Sequence, residues 1–290
     1  MVDLPFDDLT DPLRLADWLE LHALCSPDHN SSRGDLESAL RTAALLELDD
    51  DEEIELKLLE VFWELEERAR AAEQAYPFDL AFRGGVLELR SNWESFPAYV
   101  FCLCLSYFGS EDAAPRKLFE EVSRLAARGY LQGEAVGFGS PRTELPRSFS
   151  VAIAELCQRI GEGEGYSDQP SLSRKDDRLD LVAWKEFVDR HPSKVLMFGQ
   201  CASGWNWEAK LTELQPKAFC DHWMQETPVS PLISSLFIPH RIEPSKWKWV
   251  ARNAGIVFDR CRIAFWAHQE GANFDAIISW IKGLLVQVQS

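Results

Sequence analysis

Two apolar segments in the second half of the chain constrain its fold more than any other feature. RLDLVAW (178–184) and KVLMFGQ (194–200) are short, largely apolar and separated by a polar stretch. Apolar runs of this length between turn residues are typical of buried strands. The small residues of CASG follow the second run and lead into WNWEAKL, which predicts a turn and then a helix from about Asn206. We therefore expect a strand–strand–helix unit within a mixed α/β core.

The rest of the chain predicts mainly helices before this unit and a mixture of strands and helices around it. Helical periodicity covers most of residues 10–75, and further helices are expected near 95–108 and 114–128. FDLAFRGGVLELR predicts a hairpin that turns at Gly84 and Gly85. Three more segments are strand candidates, the last of which also fits a helix: GEAVGF, ISSLFIPHRI and AGIVFDRCRIAFWA. Two segments are expected to be helices: SFSVAIAELCQRI and FDAIISWIKGLLVQV.

The acidic residues are concentrated in the first part of the chain. Residues 1–112 contain 26 acidic and 8 basic side chains, whereas residues 113–290 contain 21 acidic and 22 basic ones, within a net charge of −17. We expect an acidic, mainly helical domain at 1–112 and a second domain at 113–290. An acidic surface repels a phosphate backbone, so the first domain is expected to contact protein partner subunits, while the second can form a basic groove for DNA.

The sequence predicts a soluble cytoplasmic protein that does not enter a membrane. The N-terminal residues MVDLPFDDLT are acidic and lack the basic start of a signal peptide. The longest apolar stretch, FPAYVFCLCLSYF, is shorter than the ~20 residues that a membrane helix needs. The seven cysteines are odd in number and scattered, so we expect reduced thiols rather than a disulfide framework.

One polar side chain stands out within the first apolar segment. A charged residue at Asp180 is costly in a buried strand unless it is paired or binds a metal. Antiparallel pairing of the two strands would place Asp180 beside Gln200. Glu155 on the preceding helix and Lys210 on the following helix could reach the same point. These four residues are the candidate catalytic set.

The order Glu155, Asp180, Gln200 on helix, strand, strand and helix, followed by FGQCASGWNW, resembles the PD-(D/E)xK superfamily of restriction-endonuclease-like nucleases. The resemblance covers about 115–290 and is strongest to a bacterial subgroup with glutamine in the third motif. It implies a restriction-endonuclease-like core of helix, central mixed sheet, helix and strand. It also implies that Asp180, Gln200 and Glu155 are metal ligands.

The resemblance does not identify which lysine of this chain is catalytic. The superfamily places a lysine where this chain has Ala202. By analogy with members whose lysine lies on the next helix, the role passes to Lys210. Lys185 is the second candidate, although its odd offset from Asp180 points it to the opposite face of the sheet.

The activity that the resemblance implies is cleavage of DNA by an Mg²⁺- or Mn²⁺-dependent endonuclease in bacterial anti-phage defence. A glutamine carbonyl ligates a hard cation without supplying charge, and a unit charge at 4 Å is worth roughly 4 kcal/mol at an effective dielectric constant of about 20. We therefore expect weak metal binding until the substrate phosphate joins. The alternative is a catalytically inactive nuclease-fold module that acts as a binding or assembly subunit. Cys201 is a further candidate nucleophile, because a turn before a helix N-terminus lowers the pKa of a thiol, but the sequence shows no partner histidine for it.

Overall fold

A computed structural model describes residues 11–42, 51–81, 85–109, 112–167 and 177–289 of the 290-residue chain. Within them the α-helices are α1 (Pro12–Cys25), α2 (Arg33–Thr42), α3 (Asp51–Ala72), α4 (Pro97–Phe108), α5 (Ala113–Leu131), α6 (Phe149–Ile160), α7 (Pro216–Trp223), α8 (Trp247–Ala254), α9 (Arg260–Gln269) and α10 (Asp275–Gln289). The strands are β1 (Asn30–Ser32), β2 (Phe78–Ala81), β3 (Val86–Leu89), β4 (Glu134–Gly137), β5 (Leu181–Trp184), β6 (Leu196–Cys201), β7 (Leu232–Phe237) and β8 (Ile256–Phe258).

The larger sheet is mixed and has five strands in the order β4-β5-β6-β7-β8. β4, β5 and β6 pair antiparallel, whereas β6, β7 and β8 run parallel. In this register Leu181 lies opposite Gly199, and Gly199 lies opposite Ser235. The predicted mixture of helices with a mixed sheet is therefore confirmed at the level of the α+β class.

The smaller sheet has the order β1-β3-β2 and is antiparallel. Its β2–β3 hairpin was predicted, although the turn residue Gly84 lies outside the described residues. β1 was not predicted, because it lies in the polar stretch SPDHNSSRG, which lacks an apolar pattern. The helix predicted from about Asn206 is a short 3-10 helix, Trp207–Lys210, and α7 begins only at Pro216. The sequence pattern also did not predict α8 or the boundary at which β8 ends and α9 begins.

The five-stranded sheet is covered on both faces. Alternate residues such as Leu181 and Met197 belong to a core shared with α5 and α9. Their neighbours Val182 and Phe198 face the other side and share a cluster with α6 and α7. α8 covers β7 and β8 on that same side, since Val250 clusters with residues of both strands. This arrangement is the physical reason for the continuous apolar runs in β5 and β6.

A single hydrophobic core joins the first and last thirds of the chain. It contains buried residues of α1, α3 and α4 together with residues of α5, α9 and α10. α9 packs against α3, α4 and α5, and α10 packs against α4. The packing therefore crosses the boundary expected between residues 112 and 113, and separate folding of residues 1–112 stays a prediction.

Two fully buried arginines lie at the centre of this core. Arg68 of α3 contacts Glu20 Oε2 at 2.8 Å and Asp17 Oδ1 at 2.7 Å through its Nη1. Arg260 of α9 holds the same Asp17 with two bonds, Nη1 to Oδ1 at 2.7 Å and Nη2 to Oδ2 at 2.8 Å. Tyr99 of α4 donates its hydroxyl to Glu20 Oε1 at 2.8 Å. Helices from both ends of the chain thus meet in one buried ionic cluster.

The charges around Asp17 explain why this ionic cluster is tolerated in a buried core. Burial alone would raise the pKa of Asp17, but the guanidinium groups of Arg260 and Arg68 outweigh it and lower the pKa to about 2. The carboxylate is therefore ionised at neutral pH and depends on its two cations. Removing one partner of a buried ion pair leaves an uncompensated charge.

No described helix combines the length and the apolar composition that crossing a lipid bilayer requires.

We predict that Arg260→Met lowers the free energy of unfolding by about 3–5 kcal/mol, because Asp17 and Glu20 lose a buried cation. Arg159→Met is the matched control, since its ion pair with Glu155 is partly exposed and should cost at most about 1 kcal/mol. Urea unfolding followed by circular dichroism measures both. Equal losses for the two variants would contradict the role assigned to Arg260.

Candidate functional site

Asp180 lies immediately before β5 rather than inside it, at the sheet edge where β5 begins and β6 ends. Its backbone N–H donates to the Gly199 carbonyl at 2.9 Å, and its carbonyl accepts the Phe138 N–H at 2.7 Å. Its carboxylate Oδ2 accepts the backbone N–H of Cys201 at 2.7 Å. The two backbone bonds hold residue 180 between the neighbouring chain segments, and the Cys201 N–H supplies the carboxylate with a hydrogen-bond donor, so the charge is accommodated at the end of the strand.

A second carboxylate, Glu120 of α5, approaches Asp180 across Gly139. A Cβ atom placed on Gly139 would lie 2.8 Å from Glu120 Cδ and 3.1 Å from Asp180 Oδ1. Lys117, one turn earlier on α5, donates its Nζ to Glu120 Oε2 at 2.5 Å and to the Gly139 carbonyl at 2.8 Å. We call Lys117, Glu120, Gly139 and Asp180 the edge cluster.

Gln200 is buried and lies in β6, one step beyond the Leu181–Gly199 pair, so the register places it next to Asp180 along the strands as predicted. Its Nε2 donates to Glu213 Oε2 at 3.0 Å. Glu213 also lies 3.7 Å from the Arg178 guanidinium. A neutral hydrogen-bond donor at position 200 satisfies the Glu213 carboxylate, which a glutamate would repel.

The structure does not bring the other expected residues to the edge cluster. Glu155 lies on α6, which packs on the opposite face of the sheet from α5, and it pairs with Arg159 at 2.5 Å. Lys185 follows β5 at its far end and donates to the Gln132 carbonyl. Lys210 ends a short 3-10 helix (Trp207–Lys210) and is half-buried, with no hydrogen bond to Asp180 or Gln200 in the described part of the chain. Lys117 and Glu120 occupy the places where we expected Lys210 and Glu155.

Cys201 is not an activated nucleophile in this arrangement. Burial of the thiol raises its pKa well above the usual range, and the neighbouring carboxylates of Asp180 and Glu120 raise it further. A thiol in this state is protonated at neutral pH and reacts poorly.

The donor set of the edge cluster suits a hard divalent cation. Within the described residues no group of three or more His, Cys, Asp or Glu side chains converges. Asp180 and Glu120 nevertheless offer two carboxylates, and the Gly139 carbonyl adds a third oxygen nearby. Mg²⁺ often binds through one or two carboxylates and completes its coordination with water and substrate phosphate oxygens.

Searches against protein-family models, curated proteins and solved structures find no match for this chain. The geometry of the edge cluster is therefore the basis for any statement about its chemistry.

The sequence pattern did not indicate Glu120, because KLFEEVSRL is an ordinary amphipathic pattern in which Lys117 and Glu120 are spaced like a solvated i, i+3 pair. The available signal was Gly139, directly after the GEAVGF strand. A glycine at a strand end often marks a close approach of the backbone to another group.

We predict that Gln200→Glu lowers the free energy of unfolding by about 1–2 kcal/mol at neutral pH, because two carboxylates then face each other. The pair raises the pKa of at least one carboxyl, so the penalty is present at high pH and disappears as the pH falls below about 4. Urea unfolding across this pH range measures it.

The matched control is Gln200→Glu combined with Glu213→Gln, which restores one amide and one carboxylate with their positions exchanged. Stability close to that of the unmodified chain is expected for this double variant. A penalty for Gln200→Glu that is the same at low and neutral pH would contradict the electrostatic explanation.

Proposed function

We propose that this protein hydrolyses phosphodiester bonds in DNA with Mg²⁺ or Mn²⁺ at the edge cluster. The observation that supports it is the convergence of two carboxylates and a lysine at one edge of a mixed sheet. The elements around them follow the chain order α5, β4, α6, β5, β6, α7, β7. From α6 onwards this order is similar to the helix, strands, helix and strand of a PD-(D/E)xK-like core, whereas Lys117 and Glu120 lie on the earlier helix α5.

Each residue has a role that its position permits. Asp180 and Glu120 would hold the cation, which when bound polarises the phosphate and activates water. Lys117 places an ammonium group beside the Glu120 carboxylate and the Gly139 carbonyl, where it would stabilise the negative charge that develops on the phosphate. Gly139 leaves the space in which the two carboxylates meet. Gln200 orients Glu213 and remains neutral.

A catalytically inactive binding module is the second candidate. It is favoured by the interaction of Gln200 with Glu213, because this bond engages the residue at the third-motif position. It is also favoured by Ala202, which is buried in an apolar cluster and supplies no charge. A plasmid-cleavage assay with Mn²⁺ distinguishes the two functions. Anti-phage defence and a cytoplasmic location also belong to this proposal. The first rests on the resemblance, whereas contact with protein partner subunits rests on the acidic composition of residues 1–112.

We predict that the purified chain nicks or linearises plasmid DNA with Mn²⁺ and that Asp180→Asn lowers the rate at least about 100-fold. Asparagine keeps an acceptor for the Cys201 N–H, so the fold should survive. Glu121→Gln is the control, because Glu121 follows Glu120 but pairs with Arg124. Full cleavage by a folded Asp180→Asn variant would refute the site, and no cleavage by the unmodified chain would favour the inactive module.

We predict further that Gly139→Ala lowers cleavage about 10-fold or more while the chain stays folded. The new methyl group displaces the Glu120 carboxylate, a flexible side-chain end, rather than backbone. Gly137→Ala is the matched control, since its Cβ would lie 3.4 Å from Glu144 Oε2, an ordinary contact. Cleavage rates and thermal unfolding of both variants test this, and equal rates would remove Glu120 from the site.

A further inference from the structure

α8 presents a basic and aromatic surface in an otherwise acidic protein. The stretch 244–258 contains no aspartate or glutamate, within a chain of net charge −17. Val250 and Ala254 are buried against the sheet, whereas Lys248, Trp249 and Arg252 are exposed. Lys248 and Arg252 are four residues apart and therefore share one face of the helix. In the part of the chain that the structure describes, neither forms an ion pair.

Trp249 is a large apolar residue that is 49% exposed. It is adjacent to Lys248 and one turn before Arg252, so it lies beside the face of the helix that carries the two cations. The neighbouring Trp247 differs, since it is half-buried and covered by the Arg262 guanidinium at 4.5 Å. An exposed indole beside two cations without ion pairs matches a ligand with both flat rings and anionic groups.

The location of α8 connects it to the edge cluster. Strands β6, β7 and β8 are parallel, so their carboxyl ends lie at the sheet edge that holds Asp180. α8 links β7 to β8 on the face of the sheet opposite α5, and its first residues follow the carboxyl end of β7, at the sheet edge that includes Asp180. The 3-10 helix that contains Lys210 belongs to the same hydrophobic cluster as α8, through Trp207 and Val250. Lys210 is therefore a further cation on an element that packs with α8.

We propose that α8 binds single-stranded DNA, with Lys248 and Arg252 on phosphates and Trp249 stacked on an unpaired base. This inference rests on the proposed function for its link to cleavage and names the substrate as DNA with a single-stranded segment. Paired bases are stacked inside a duplex and leave no ring face for an exposed indole, whereas an unpaired base offers one. The two cations would attract either form.

Fluorescence anisotropy of the full-length chain with labelled oligothymidylate and with a duplex, both in EDTA, tests the inference without cleavage. We expect Trp249→Ala to weaken single-strand binding about 10-fold and duplex binding much less. Trp63→Ala is the matched control, because Trp63 has the same 49% exposure but lies on the acidic helix α3.

The double variant Lys248→Gln and Arg252→Gln should weaken binding of both DNA forms about 10-fold and reduce the salt dependence by about one to two ions. Lys217→Gln with Arg70→Gln gives the same change of net charge at cations paired to Asp221 and Glu67, and should leave binding unchanged. Equal losses in both double variants, or unchanged binding in the α8 variants, would overturn the inference. Binding to phosphatidylserine vesicles with no binding to DNA would overturn it as well.

The two proposals fail separately. If the chain binds oligothymidylate through α8 but does not cleave DNA with Mn²⁺, the nuclease activity is refuted and the α8 inference stands. If the chain cleaves DNA while the α8 variants bind and cleave like the unmodified chain, only the α8 inference is refuted.

Discussion

The ion pairs of Arg68 and Arg260 with Asp17 and Glu20 are the interaction on which the rest of this structure depends. All four side chains are almost completely inaccessible to water, and they come from α1, α3 and α9. Desolvating charges is expensive, so such a cluster persists only when each group finds its partner. A chain in which α9 failed to dock would leave two carboxylates buried with a single cation. The cluster therefore makes the position of α9 against α1 and α3 specific in a way that apolar packing alone does not.

The position of α9 in turn determines the position of α5, the helix that carries Lys117 and Glu120 of the edge cluster. α9 packs closely against α5, and α5 packs against β4 and β5. Lys117 and Glu120 are on the same helix, near its start, and reach the sheet edge at Gly139. The acidic first third of the chain thus helps to position the helix that supplies two of the candidate catalytic side chains. In this account the acidic residues have a structural role in addition to any contact with partner subunits.

The sequence predicted those helices and strands whose pattern is formed by residues close to one another in the chain. The apolar runs predicted β5 and β6, and the periodicity predicted α1, α3 and α6. It also identified Asp180 as a charge that needs an explanation. It did not distinguish Glu120 from Glu155, because both are glutamates on amphipathic helices and the face of the sheet that a helix covers is decided by tertiary packing. The buried arginines were missed for a related reason, since their carboxylate partners are distant in sequence.

The most direct test of the account is Mn²⁺ binding measured by isothermal titration calorimetry on the full-length chain, on Glu120→Gln and on Glu121→Gln. The account predicts that Glu120→Gln weakens Mn²⁺ binding at least about 10-fold, while Glu121→Gln binds like the unmodified chain. The two variants change charge equally at adjacent positions, so a difference between them reports the geometry of the edge cluster. Equal Mn²⁺ affinity in all three folded proteins would contradict a metal site formed by Glu120 and Asp180.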